Sequence, residues 1–341
     1  MADVIKIDEL VAGDVLLYKG TGFISRAIQF FDGTDFSHAA LYLGDGMVGE
    51  AVATGLERRN YEAGATGIWV QAHRLKDIVP TMDPVLDVGN AYLDQGNRYG
   101  YEQLLLLAFL CLTRKLKFAP SLRDVVRRVL DAAAAVLTRM LSEHREPMIC
   151  SEFVYRVYDE AIPGPNDVYS LWINRLPMPA VGLTRAVPAA AEGPAAPTAV
   201  RGQGIHPQSL LAFMESSSGS AWVGSPLEGL PVRGEPEGTL EELESCVETY
   251  LEEVRVAPGV AVRAPTQPEP TLEDLRAATN GFAASLYAAT HPEDAEARAM
   301  LTPTAVATVS EYLTRTAADF VTPADIYKTQ SLFLVGKIEE V

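Results

Sequence analysis

Three cysteines occur in the chain, Cys111, Cys150 and Cys246. A cysteine attacks only as its thiolate. At a free pKa of about 8.5, only a few per cent of a thiol is ionised at neutral pH, so reactivity requires positive surroundings. Cys246 lies among Glu241, Glu242, Glu244 and Glu248, whose field raises a thiol pKa. Cys111 lies inside the apolar run 104–112, where burial acts in the same direction. Cys150 follows Glu146-Pro147-Met148-Ile149 and opens a predicted helix over 150–161. A helix start favours an anion through its dipole and its outward N–H groups. Only Cys150 therefore has a physical route to reactivity; the competing reading is a small buried core residue.

A thiolate needs a base. His144, His206 and His291 fall in charged or Gly/Pro-containing surface segments, and His73 closes a short predicted strand. His38 interrupts a small, apolar strand, Ser37-His38-Ala39-Ala40-Leu41-Tyr42-Leu43. An imidazole there is costly to desolvate unless it has a partner. That partner is either the backbone of a core or a functional group. Glu50 interrupts the next apolar strand, Met47-Val48-Gly49-Glu50-Ala51-Val52. If Gly44-Asp45-Gly46 is a three-residue loop, Leu43 pairs with Met47 and Ala40 with Glu50. His38 and Glu50 then share a face as diagonal neighbours. A two-residue loop would put them on opposite faces.

The elements that must carry these residues read as α+β. Strands are expected at 14–18, 37–43, 47–52 and 69–73, with a helix at 23–31. Helices are expected at 101–118, apolar nearly all round and hence buried, and at 122–141, with one apolar face. Arg114, Lys115, Lys117, Arg123, Arg127 and Arg128 gather near their junction. That cluster reads as a solvated basic face, with a local membrane-contact patch as the alternative. Residues 186–200 form an Ala/Pro/Gly-rich linker. The stretch 235–253 holds eight glutamates and no basic residue, with a helix expected after Thr239 and Glu242 at the capping-box position. Further helices are expected at 272–289, capped by Thr271, and after Thr302-Pro303, with a closing strand over 332–338.

With 341 residues there is material for about two domains. The net charge is −17, unevenly spread: residues 1–165 carry 17 basic and 22 acidic side chains, residues 166–341 carry 11 and 23. This balance opposes nucleic-acid binding, which needs a basic surface, and opposes attachment of the whole molecule to an anionic membrane. Sparse cysteines fit a reducing compartment. The N-terminal sequence does not read as a signal peptide, and the longest apolar run, 104–112, is too short to span a bilayer, so a cytoplasmic location is expected.

Taken together, Gly13-Asp14-Val15-Leu16-Leu17-Tyr18, Ser37-His38 with its strand, Gly44-Asp45-Gly46, Glu50-Ala51, Gly55 and Cys150-Ser151-Glu152-Phe153-Val154 resemble the circularly permuted NlpC-type papain-like hydrolases. The YiiX-like amidase group is the nearer branch; lecithin retinol acyltransferase and its phospholipase relatives are more distant. In that superfamily the histidine and a third polar residue lie on neighbouring strands. The cysteine starts a helix later in the chain. The resemblance covers roughly residues 10–160, and Thr322-Pro323-Ala324-Asp325 with the final strand is similar to the end of the YiiX-like domain. It implies a permuted papain-like core with an antiparallel sheet packed on helices. That core would span 1–165 and be completed by 319–341. Residues 166–318 would be a mainly helical, acidic insertion.

The resemblance further implies Cys150 as nucleophile, His38 as general base and later acid, and Glu50 as the residue orienting His38. The reaction would be hydrolysis or acyl transfer at an amide or ester bond through an acyl-enzyme thioester. The substrate would be a peptide, an N-acyl amino acid or a lipid. No cofactor is implied; the basic cluster leaves peripheral membrane contact open. The rival reading is a non-catalytic binding module that uses the acidic helices as its interaction surface. A zinc site from His38, Glu50 and Cys150 is opposed by the absence of CxxC or HxxxH spacing. Lys19-Gly20-Thr21-Gly22 lacks the phosphate-loop pattern, and no GxSxG serine motif occurs.

Overall fold

The computed structural model describes residues 3–52, 55–61, 69–77, 79–95, 98–99, 102–114, 121–142, 146–162, 168–173, 209–212, 240–255, 270–290, 309–310, 312–313, 316 and 320–338. The linker at 186–200, Thr302 and Pro303, and His144, His206 and His291 lie outside them, as do Lys115 and Lys117; of the helix expected after Thr302, residues 309–310, 312–313 and 316 are described and are helical.

Alternating or continuous apolar runs make the strands β1 (Val4–Ile5), β2 (Val15–Lys19), β3 (His38–Gly44), β4 (Met47–Val52) and β6 (Trp69–Leu75), and the mostly charged β5 (Gly55–Asn60) is held by its pairing along β4. Helix α1 (Phe23–Asp32) separates β2 from β3; Gly33 ends it in the left-handed conformation at φ 68°. Then follow α2 (Asp83–Gln95), β7 (Arg98–Tyr99), α3 (Glu102–Thr113), α4 (Leu122–Ser142), β8 (Glu146–Pro147) and α5 (Cys150–Asp159). The later part of the chain supplies α6 (Leu240–Arg255), α7 (Leu272–Thr290), α8 (Pro323–Lys328) and β9 (Leu332–Ile338).

Seven strands form one sheet in the order β1-β9-β6-β2-β3-β4-β5, antiparallel except for the β1–β9 pair. The closing strand is thus an interior strand, hydrogen-bonded to β6 on one side and β1 on the other. The short β7 and β8 pair in parallel.

The sheet has a core on each face. On one face, Val15, Leu17, Ala39, Leu41 and Ala51 pack against the helices. Gly49 admits that layer closely: a Cβ there would lie 2.9 Å from Leu93 of α2 and 3.4 Å from Phe153 of α5. On the other face, Leu16, Tyr18, Ala40, Tyr42, Val48, Val70 and Ala72 form a smaller cluster with Ile5 and Ile338.

As its composition predicts, α3 is buried throughout 104–112 and packs on α1 and α4. Helix α4 receives both α6 and α7. Helix α7 is capped reciprocally: Thr271 Oγ1 accepts from the Asp274 N–H at 3.1 Å, and Asp274 accepts from the Thr271 N–H at 2.7 Å. In α6 the apolar side (Leu243, Val247, Tyr250, Leu251) is buried, and Glu248 and Glu242 pair with Arg26 and Arg128.

The basic cluster departs from the expected solvated face. Arg114 is buried and its Nη2 lies 3.2 Å from Asp32 Oδ1. Arg128 pairs with Asp124 and Glu242, while Arg123 is exposed. The paired guanidiniums hold helices together because a buried cation is tolerated only against an anion. Among the described residues no helix is long and apolar enough to cross a membrane.

Candidate active site

The β3–β4 turn determines which way the site residues point. The turn residues are Asp45 and Gly46, at φ 51° and 73°, a two-residue connection of the primed type. Gly44 pairs with Met47, but a bulge between Tyr42 and Gly44 shifts the register, so Leu41 pairs with Gly49. The expected face-sharing of His38 and Glu50 is therefore achieved by a different device. A two-residue turn alone would have separated them, and the bulge restores the lost residue.

His38 Nε2–H donates to Glu50 Oε2 at 2.8 Å, and both residues are buried, 8% and 4% exposed. Glu50's other oxygen, Oε1, accepts from Arg59 Nη1 at 3.2 Å. Burial alone would push the Glu50 carboxyl up, but the hydrogen bonds and charges of His38 and Arg59 outweigh it and hold the carboxyl below its ordinary range. Glu50 is thus the anion that an orienting carboxylate must be.

Tyr18, directly opposite His38 on β2, packs its ring edge-on to the imidazole with centroids 5.3 Å apart. Burial, reinforced by the Glu50 charge, pushes its phenol far up, so Tyr18 is a neutral wall of the site. Neither Tyr18 nor Arg59 was singled out from the sequence. Tyr18 was findable, because it is the cross-strand partner of His38 once β2 and β3 are aligned. Arg59 was not, because β5 reads as a charged turn-like segment, Gly55-Leu56-Glu57-Arg58-Arg59-Asn60.

Cys150 is buried and is the first residue of α5. Ile149, extended at φ −95° and ψ 151°, precedes it as the cap. The helix is anchored at both ends. Ser151 Oγ donates to the Val321 carbonyl at 2.8 Å, and the Tyr158 hydroxyl donates to the Gly13 carbonyl. Asp14, next in the chain, is clamped by Arg74 through two bonds of 2.7 Å. Helix α5 packs on β3 and β4, the strands that carry His38 and Glu50. It covers the face of Leu41 and Gly49, whereas His38 and Glu50 alternate with those residues and share the parity of Ala40 and Val48. His38 is the first residue of its strand, as Cys150 is of its helix.

The other candidates take different environments. Burial pushes the Cys111 thiol far up. Burial and a hydrogen bond to Asp124 push Cys246 up to about 12. His73 packs against Tyr327, and its Nε2 lies 3.3 Å from Gln71 Oε1. Burial holds its imidazole down at about 4. The unfolded chain then binds a proton on His73 below about pH 6.5 that the native state refuses until about pH 4. His73 should therefore cost stability progressively as pH falls through that window, by roughly 3 kcal/mol at its acid end. Urea titrations of wild type and His73→Gln between pH 7 and 4 should show a shallower acid loss in the variant; parallel curves would refute this. Among the described residues, no group of three or more His, Cys, Asp or Glu side chains is placed to hold a metal ion.

No protein-family model matches the sequence, and no curated protein is significantly similar to it.

Proposed function

We propose that the chain is a cysteine-dependent hydrolase or acyltransferase acting on an amide or ester bond, built on a permuted papain-like core. The observation that carries this reading is the buried His38–Glu50 pair on two strands against which the Cys150 helix packs. A carboxylate–imidazole pair costs desolvation, and a site that must hold an imidazole in one tautomer and orientation repays it.

In this reading Nε2 of His38 is committed to Glu50, so Nδ1 exchanges the proton with the thiol. The reading requires the thiol to reach that nitrogen around the N-terminal end of β3, because α5 packs on the face of the sheet opposite His38 and Glu50. The Cys150 thiolate attacks the substrate carbonyl carbon. Backbone N–H groups at the start of α5 hold the oxyanion. The His38 imidazolium protonates the leaving amine or alcohol as the C–N or C–O bond breaks, leaving a thioester on Cys150. Neutral His38 then takes a proton from water, or from an acceptor nucleophile, as that attacks the thioester. Cys150 is released as the thiolate with His38 protonated again. Glu50 stays ionised and acts as a positioning residue.

The test is a screen of N-acyl amino acids, peptides and phospholipids, with Cys150→Ala as the control. Turnover of one class that is absent from the control supports the reading; turnover retained in the control refutes it. On the substrate so identified, Glu50→Gln should lower kcat by roughly ten- to a hundredfold, less than loss of Cys150 or His38, because it removes orientation rather than a reacting group. A rate equal to wild type would remove Glu50 from the site.

A further inference from the structure

Arg58 and Arg59 are neighbours with opposite tasks. Arg58 turns toward α2, where it pairs with Asp94 at 2.7 Å and donates to Asn90. Arg59 turns to the other face, where its Nη1 lies 3.2 Å from Glu50 Oε1. Its side chain is 35% exposed and that of Glu50 only 6%. The carboxylate thus bridges an imidazole and a guanidinium, one oxygen to each.

From this geometry we infer that Arg59 is a positioning residue of the active site, holding the Glu50 carboxylate so that one oxygen is left for His38 and supplying a positive charge that lowers the working pH range of the Cys150–His38 pair. The inference rests on the function proposed above. Among the described residues, the groups that face Glu50 are His38 from β3, Tyr18 from β2, Glu57 and Arg59 from β5, and Tyr61 directly after it. Glu57 is its direct cross-strand partner and a second negative charge. Tyr18 and Tyr61 are neutral, their phenols pushed up by burial. Among the described groups that face Glu50, Arg59 is therefore the fixed cation, and it offsets two carboxylates.

Removing a positive charge raises every pKa nearby, so both thiolate formation and loss of the imidazolium proton shift to higher pH. A purely structural arginine would change the amplitude or the stability and leave both midpoints in place. The experiment is the rate of Cys150 alkylation by iodoacetamide from pH 4 to 10, on the full chain, in wild type, Arg59→Met and Arg59→Lys. The midpoint of the acid limb should rise by about half a pH unit or more in Arg59→Met and return toward wild type in Arg59→Lys. Arg59→Gln, which keeps a hydrogen-bond donor, replaces Met if that variant does not fold, with the same expected shift. A wild-type profile that depends on His38 but is unmoved in the neutral variants overturns this inference alone. A wild-type profile of an ordinary thiol, insensitive to His38→Ala, overturns the function on which it rests and the inference with it.

Discussion

Replacing His38 with alanine should slow iodoacetamide alkylation of Cys150 at pH 7 by at least about tenfold and lower turnover by about three orders of magnitude or more. The reasoning is quantitative. A thiol with a pKa of about 8.5 is a few per cent thiolate at neutral pH, whereas an ion-paired thiolate is nearly complete. Part of that gain is lost because a less basic thiolate is a weaker nucleophile, which is why the alkylation effect is smaller than the change in thiolate fraction. Turnover suffers more, since the imidazole also protonates the leaving group and activates the second nucleophile. The alkylation must be followed at Cys150 specifically, by mass spectrometry of the modified peptide. Cys111 and Cys246 are held protonated and should react slowly in both proteins. Equal Cys150 rates in wild type and His38→Ala would mean that sulfur and imidazole do not meet at the end of β3, and the enzymatic reading would fall.

The second large effect concerns the tie between the two ends of the chain. The Asp32 side chain, at the end of α1, is fully buried. It accepts from Arg114 Nη2 at 3.2 Å, from Thr322 Oγ1 at 3.1 Å and from the Ala324 N–H at 3.0 Å. Asp325 lies within the same cluster, where burial and the Asp32 charge push its carboxyl up against the pull of Arg114. Asp32→Ala leaves the Arg114 guanidinium buried without its anion, and loss of one partner from such a pair costs about 3–5 kcal/mol. The urea midpoint at pH 7 should fall accordingly. Limited proteolysis should open the chain near α8 first, because Thr322 and Ala324 lose their acceptor. The paired change Asp32→Leu with Arg114→Met, which removes both charges, should be milder than the single one. An unchanged midpoint in Asp32→Ala would show that the cluster contributes nothing to stability.

Much of the local structure was legible because its causes are local. Strands β2, β3, β4 and β6 and helices α1, α3, α4, α5 and α7 follow from apolar spacing within a dozen or so residues and from caps such as Thr271. The pairing of His38 with Glu50 was legible too, since only eleven residues and one turn lie between them. Even there, the chain reached the expected register by a bulge at Gly44 rather than by a longer loop. Strand β5 was missed because four of its six residues are charged or amide side chains and nothing in its own pattern shows which face will be covered. Arg59 went with it.

Composition and spacing on their own determined the choice of candidate trio and the buried apolar helix. Tertiary structure alone decided that β9 sits inside the sheet, that Arg59 bonds Glu50 and that Arg114 is a buried counter-ion of Asp32 rather than part of a wet basic face. The reason is physical. Periodicity and turn chemistry act over a few residues, but a charge reveals its partner only when chain segments far apart, here residues 32, 114 and 322, are brought together out of water.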